Sequence, residues 1–302
     1  MPELPEVETI ARGVAKRVTG DVVESVWLGS KKEPLKSPAS EIAGALEGSR
    51  VANVRRMGKH IVFDLEREGG FLAGKRRKKR STSHRRSGLK DRSVLSTPEA
   101  PHIRAQFIVH LGMTGRLQVC SPSDEVVEHT HAILKLASGR ELRFVDPRRF
   151  GRLSVAIAAD FDAGGIEPLE IDLEKFVSLF RGRKTPMKSA LLNQKLLRGV
   201  GNIYADESLF RAGVRPRRRA TAVRRDELEK LYTGLQDVLK EAIALGGSSV
   251  SDYVDADGEE GFFQLQHRVY GREGEPCLVC KTPIKRVVIA GRSSHYCPKC
   301  QK

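Results

Sequence analysis

The sequence predicts an α+β protein: one leading helix, a strand-rich antiparallel N-terminal half, a helical second half, and a short cysteine-bearing end. Three observations carry this expectation. Apolar residues are spaced as on a helix from Val7 to Val18, fall into short β-like runs from residue 21 to about 155, and return to helical spacing beyond Gly164-Gly165. The many short strands are not separated by long helices, the pattern of an antiparallel sandwich or barrel. Four of the five cysteines form two pairs, Cys277-x-x-Cys280 and Cys297-x-x-Cys300.

The leading helix is read from Val7, Ile10, Ala11, Val14 and Val18, an i, i+3, i+4, i+7 stripe. Pro5 suits its first turn, Glu6 and Glu8 complement the dipole there, and Gly20 can end it. The chain terminus is therefore expected to be held by a packed helix. Strands are expected at Val22-Val23, Val51 to Val54, His60 to Leu65, Phe107 to Leu111, Ala132 to Leu136, Leu142 to Val145 and Leu153 to Ala156, with turn signals such as Ser138-Gly139 between them. In the second half Glu174 to Phe180, Lys188 to Leu197, Ile203 to Ala212 and Asp226 to Leu245 have helical spacing. A tight glycine turn, Arg198-Gly199-Val200-Gly201-Asn202, separates the second helix from the third. It reads as a packing turn or as a phosphate cradle made by main-chain amides at a helix start.

At 302 residues, 39% of them hydrophobic, the chain is long enough for two domains with real cores. No apolar run approaches the roughly 20 residues of a membrane span, and no secretory apolar region follows Met1. A soluble, intracellular protein is expected. The net charge is +15, but Lys75 to Arg92 holds ten Lys or Arg against one acid, Asp91, and so carries nine of those charges. The remainder is still basic, which suits a polyanionic partner. The segment from about Gly74 to Pro98 has almost no apolar residues and is expected to be a disordered insertion between two strands. It reads either as a basic arm adding salt-sensitive attraction to nucleic acid or as a solvated insertion. In a chain without an export signal the two CxxC pairs read as a tetrathiolate zinc site. Cys120, without a partner in sequence, reads as a buried or inert thiol.

Chemistry concentrates at the start, Met1-Pro2-Glu3-Leu4-Pro5-Glu6. Removal of Met1 would leave proline as the first residue, with a secondary amine titrating roughly near neutrality like other α-amino groups. An amine attacking an electrophilic carbon needs a neighbouring acid to move protons, and Glu3 and Glu6 stand beside it. The same residues also suit a stiffened helix start.

Together these segments resemble the formamidopyrimidine-DNA glycosylase family nearly end to end, apart from the basic insertion. The resemblance is carried by MPELPEVET at the start, HLGMTG at 110–115, DPRRFG at 146–151, GVGNIYADESLF at 199–210 and the CxxC pairs. It implies a two-sheet β-sandwich catalytic domain over 1–155, a helix–two-turn–helix DNA-binding domain with a lesion loop over 165–261, and a zinc finger over 262–302. It implies Pro2 as the nucleophile, Glu3 as the acid that protonates the opening sugar, Glu6 as a second acid, and Lys59 as the partner of a phosphate beside the lesion. Met113, Arg148 and Phe150 become the wedge that fills the gap left by the extruded base. Lys188, Asn202 and Arg292 match phosphate contacts, His129 can still approach a phosphate, and Gly246 to Gly261 matches a mobile loop over the flipped purine. The implied cofactor is one structural Zn2+ on Cys277, Cys280, Cys297 and Cys300. The implied partner is damaged double-stranded DNA, met by a monomer in a bacterial cytoplasm, on the nucleoid. PELPEVET, with Leu4, resembles the oxidised-purine branch; the sister branch, which resembles endonuclease VIII, usually has glycine there. That branch and a non-catalytic zinc-hairpin DNA-binding protein are the alternatives. One departure is His129-Thr130-His131, where the family commonly has His-Asp-His.

Overall fold

The structure, a computed structural model, describes residues 1–67, 103–157, 160–249, 254–256 and 258–302. The expected basic insertion at 74–98 and loop residues Val250 to Tyr253 lie outside the described residues.

The first helix, α1 (Leu4–Val18), is followed by β1 (Val23–Leu28), α2 (Ala39–Leu46), β2 (Arg50–Met57), β3 (His60–Arg67), β4 (Ile103–His110), β5 (Arg116–Cys120), β6 (Thr130–Leu136), β7 (Glu141–Val145) and β8 (Arg152–Ile157). These strands form two four-stranded antiparallel sheets, ordered β1-β6-β7-β5 and β2-β3-β4-β8. Alternate residues of each sheet meet in one apolar cluster: Ile61, Phe63 and Leu65 from β3 against Leu142 and Phe144 from β7. The period of two along each strand makes this a sandwich. The sequence reading missed β5 and α2. Arg116 to Cys120 places only Leu117 fully inside, so its alternation is faint. The eight-residue α2 starts behind Pro38 and buries only Ile42, Ala45 and Leu46.

Helix α1 bridges the two halves. Val7, Ile10, Ala11, Val14 and Val18 belong to the sandwich core, whereas Leu4 belongs to the core of the helical half. Full burial of Leu4 contributes about 1.5–3 kcal/mol towards holding the chain start at the junction. The helical half contains α3 (Leu173–Phe180), α4 (Met187–Leu191), α5 (Asn202–Ala212) and α6 (Arg225–Ala244), and the chain closes with a hairpin of β9 (Lys285–Ile289) and β10 (Arg292–Tyr296). Helix α4 ends at Leu191, six residues before the expected Leu197. Asn193 accepts a hydrogen bond from the Lys195 amide at 3.0 Å. The Gln194 side chain donates to the Leu192 and Val200 carbonyls and accepts from the Gly199 amide. These side chains satisfy backbone groups of Leu192, Lys195, Gly199 and Val200 past the end of the helix.

Candidate active site and DNA-binding face

A cavity of about 580 Å3 opens where the sandwich, the helical half and the terminal hairpin meet. Of the residues singled out in the sequence, Pro2, Glu3, Glu6, Lys59, Met113, Asn202 and Arg292 line it. They come from α1, the β2–β3 turn, the loop after β4, the start of α5 and the hairpin tip. Pro2 is buried; its nitrogen becomes a terminal amine once Met1 is removed.

Glu3 precedes the first turn of α1, and its backbone N–H donates to the Glu6 carboxylate at 2.8 Å. The Glu3 carboxylate turns the other way and accepts from the amides of Ile203 (3.2 Å) and Tyr204 (3.5 Å). The sequence reading offered these α5 amides to a phosphate; in the folded chain the Glu3 carboxylate occupies them, as favours an anion at a helix start. Gly201 permits the approach, because a Cβ there would lie 2.1 Å from Glu3 Cδ. Gly201→Ala is therefore expected to displace the Glu3 carboxylate and cost about 1–3 kcal/mol of stability, read as a lower Tm. A wild-type Tm would show that the turn relaxes around the methyl group.

Burial raises the Glu3 carboxyl to about 7, with Lys59 opposing and Glu6 reinforcing the shift. Burial also raises Glu6, although Tyr204 Oη donates to it and the Ser248 amide donates at 2.8 Å. Lys59 is lowered by the same desolvation, against the pull of Glu3 and Glu6. Thus a carboxyl titrating near neutrality stands in one cavity with a depressed ammonium and the proline, the pairing that proton transfer requires.

The wedge candidates occupy two loops tied by one carboxylate. Asp146, fully buried, accepts from Thr114 Oγ1 and the Gly151 amide, each at 2.6 Å. Beyond this tie Met113 is 40% and Phe150 52% exposed, and the Arg148 guanidinium lies 5.0 Å from the Phe150 ring centroid. Large apolar side chains held in solvent by a buried anchor do not belong to either core. His129 is exposed, with a left-handed φ of 66°, outside the cavity lining. The neighbouring His131 is buried against the Asp146 carbonyl at 3.0 Å.

Lys188 requires a correction. It is fully buried, pairs with Asp206 at 2.7 Å and donates to the Ser293 carbonyl at 2.6 Å, so it does not present its ammonium to a phosphate. The Asp206 carboxylate also accepts from the His295 amide at 2.8 Å. This buried cross-link seats the hairpin on α5 and so positions Arg292, which follows the tight Ala290-Gly291 turn with both φ values positive. Asn202 begins α5 at the cavity wall.

Several lining residues had no role of their own in the sequence reading. His60 and His110 pack with ring centroids 4.9 Å apart, and burial lowers both, His110 to about 4. Tyr270, Ser189 and Ser248 also line the cavity. Tyr204 lies within the quoted GVGNIYADESLF segment, yet its donation to Glu6 spans 198 residues and no local pattern signals it.

Cys277, Cys280, Cys297 and Cys300 bring their Sγ atoms within 4.8 Å of one another. Cys277 and Cys300 are 3.9 Å apart and Cys280 and Cys297 3.4 Å apart. Thiolates about 2.3 Å from a tetrahedral zinc lie roughly 3.8 Å from each other, so the set fits one ion and leaves no open position. These residues hold one structural zinc. Cys120 is partly buried away from this cluster, and burial raises its thiol. No helix among the described residues is long and apolar enough to cross a membrane.

Residues 1–153 match the formamidopyrimidine-DNA glycosylase N-terminal domain, 165–254 the H2TH domain of the same enzymes, and 274–302 a zinc finger found in FPG and IleRS. The chain is 42% identical to a formamidopyrimidine-DNA glycosylase of Solibacter usitatus, with all of both chains covered. Its fold is similar to the MutM (FPG) protein of Thermus thermophilus, with TM-score 0.78 and 38% identity over 99% of this chain and 98% of that one. It is also similar to a Lactococcus lactis FPG mutant in complex with a Fapy-dG containing DNA, with TM-score 0.80 and 27% identity over the whole of both chains. With three family domains in order and full-length relatives at this identity, the chain belongs to the formamidopyrimidine-DNA glycosylase family.

Proposed function

We propose that this chain is a bifunctional DNA glycosylase and abasic-site lyase of base excision repair, excising oxidised purines (8-oxoguanine and formamidopyrimidines) from double-stranded DNA. The observation that carries the reading is the junction itself: a buried Pro2 beside a carboxyl raised to about 7 and a desolvated Lys59, in a cavity roomy enough for an extruded nucleotide. The neutral Pro2 amine attacks C1′ of the damaged nucleotide. The bond from C1′ to the base breaks, and the base departs with the electron pair. The Pro2 nitrogen then gives up its own N–H proton to the departing base, and the lone pair so freed completes an iminium as the C1′–O4′ bond opens, with Glu3 giving its proton to O4′. The iminium acidifies C2′; loss of that proton expels the 3′ phosphate, and a further proton loss from C4′ expels the 5′ phosphate.

In this reading Lys59, Asn202 and Arg292 hold the phosphates around the lesion, and Glu6 fixes the Glu3 backbone. Met113 and Phe150 replace the lost stacking, and the Arg148 guanidinium hydrogen-bonds the orphaned cytosine. Phosphate contacts set register without reading sequence, as suits an enzyme that scans all DNA. The protein acts as a monomer in a bacterial cytoplasm, on nucleoid DNA.

Borohydride trapping on a duplex with 8-oxoguanine opposite cytosine tests this. The mature chain is expected to form a covalent adduct, and a form retaining Met1 is expected to form none. Equal trapping by the Met1-retaining form would place the nucleophile elsewhere. Faster trapping on an oxidised pyrimidine would favour the sister specificity.

A further inference from the structure

A single carboxylate outside the cavity ties together the two turns that shape it. Glu167, 4% exposed, lies in the segment that leads from the sandwich into the helical half. Its Oε1 accepts from the Gly58 amide at 2.8 Å, Arg56 Nη1 at 2.9 Å and Arg198 Nε at 2.9 Å. Arg56, 7% exposed, also donates from Nε to Glu8 on α1 at 2.7 Å, so two arginines and two glutamates form one partly buried network. The segments gripped are those that matter. Gly58 immediately precedes Lys59. Arg198 precedes Gly199, whose carbonyl accepts from the Leu4 amide at 3.0 Å and so fixes the chain beside Glu3. The packing is close: a Cβ on Gly58 would lie 3.1 Å from Arg198 Cβ.

We infer that Glu167 is a positioning residue for Lys59, setting where that ammonium stands relative to Glu3 and the attacked sugar by locking the Gly58 turn onto the Arg198-Gly199 turn. The chemistry requires a carboxylate. Gly58 and two guanidiniums present only donors to this point, so the acceptor must be anionic and multivalent. Glutamine can keep its oxygen at the Oε1 position, but it then puts an N–H2 group where Oε2 stands, 2.8 Å from Arg56 Nη1. The turn carrying Lys59 then moves against the turn beside Glu3 without any cavity residue having changed. Displacement of a catalytic group by about 1 Å costs on the order of a hundredfold in rate.

The inference rests on the role proposed for Lys59, and a double-mutant cycle separates the two. Single-turnover base release on an 8-oxoguanine duplex is compared for wild type, Glu167→Gln, Lys59→Gln and the double variant. Glu167→Gln is expected to slow release about 30-fold when Lys59 is present but less than about 3-fold in the Lys59→Gln background, because a group acting through Lys59 has nothing left to position. Duplex affinity and zinc content should stay within about twofold of wild type. Multiplicative losses, or a rate loss matched by a loss of duplex binding, would overturn the inference even if wild-type trapping succeeds. If trapping itself fails, the fault lies with the proposed function. Should Glu167→Gln not fold, Arg56→Gln, outside the cavity lining, removes one donor while keeping the Gly58 and Arg198 bonds to Glu167, and the same cycle decides.

Discussion

Glu3→Gln is expected to abolish base release, by about 10²–10⁴ in single-turnover rate, while leaving the protein at least as stable as wild type above pH 7. Rate and stability separate because burial holds the Glu3 carboxyl at about 7, above its ordinary value of 4.5. The folded protein binds this proton more tightly than the unfolded chain does. Its stabilising effect is complete below about pH 4.5, declines as pH rises and is gone above about 7. A shift of that size corresponds to roughly 3 kcal/mol, an order-of-magnitude figure, which the uncharged amide does not forfeit at high pH. For the chemistry the sign is the same: Glu3 can donate only while protonated, so kcat/KM should fall as pH rises through about 7. A Glu3→Gln variant releasing base at the wild-type rate, or a wild-type profile flat from pH 6 to 9, would remove Glu3 from the acid role.

Loss of zinc should be nearly as severe, by a different route. The hairpin's own apolar cluster among the described residues is small: Phe210, Val269, Ile284 and two of the zinc-binding cysteines. It cannot order the hairpin alone, and zinc supplies on the order of 10 kcal/mol to structural sites of this kind. Without the ion β9 and β10 should separate, Arg292 should lose its place at the cavity, and the buried Lys188–Asp206 pair should lose its lid. Chelation or Cys297→Ser is expected to lower affinity for a lesion duplex at least 100-fold, measured by fluorescence anisotropy. The sandwich core, which has no contact with the metal, should retain its near-ultraviolet circular dichroism. Metal-free protein with full affinity would show that the hairpin does not need zinc to bind DNA.

Much of the site was legible because its signals are local. The CxxC pairs gave the metal, the stripe from Val7 to Val18 gave the helix that anchors the terminus, and the family resemblance pointed to Lys59, Met113, Asn202 and Arg292, all of which reach one cavity. Lys188 was misplaced for an instructive reason. A lysine close to a turn reads as a surface cation until Asp206, eighteen positions on, and the Ser293 carbonyl, 105 positions on, enclose it. The same limit hid β5, whose alternation is weak, and the early end of α4, where Asn193 and Gln194 satisfy the backbone.

Local sequence was enough for the order of helix, strands, helices and hairpin and for the four zinc ligands, whereas the other site residues were named chiefly through the family resemblance. Periodicity, turn residues and ligand spacing act over a few positions, so a linear chain already displays them. Which charges are buried and paired was settled by folding alone. The tertiary structure filled the α5 amides with Glu3, buried Lys188, raised Glu3 towards neutrality and made Glu167 a clamp. Desolvation and hydrogen bonding depend on what packs from distant parts of the chain, and those parts meet only in the folded protein.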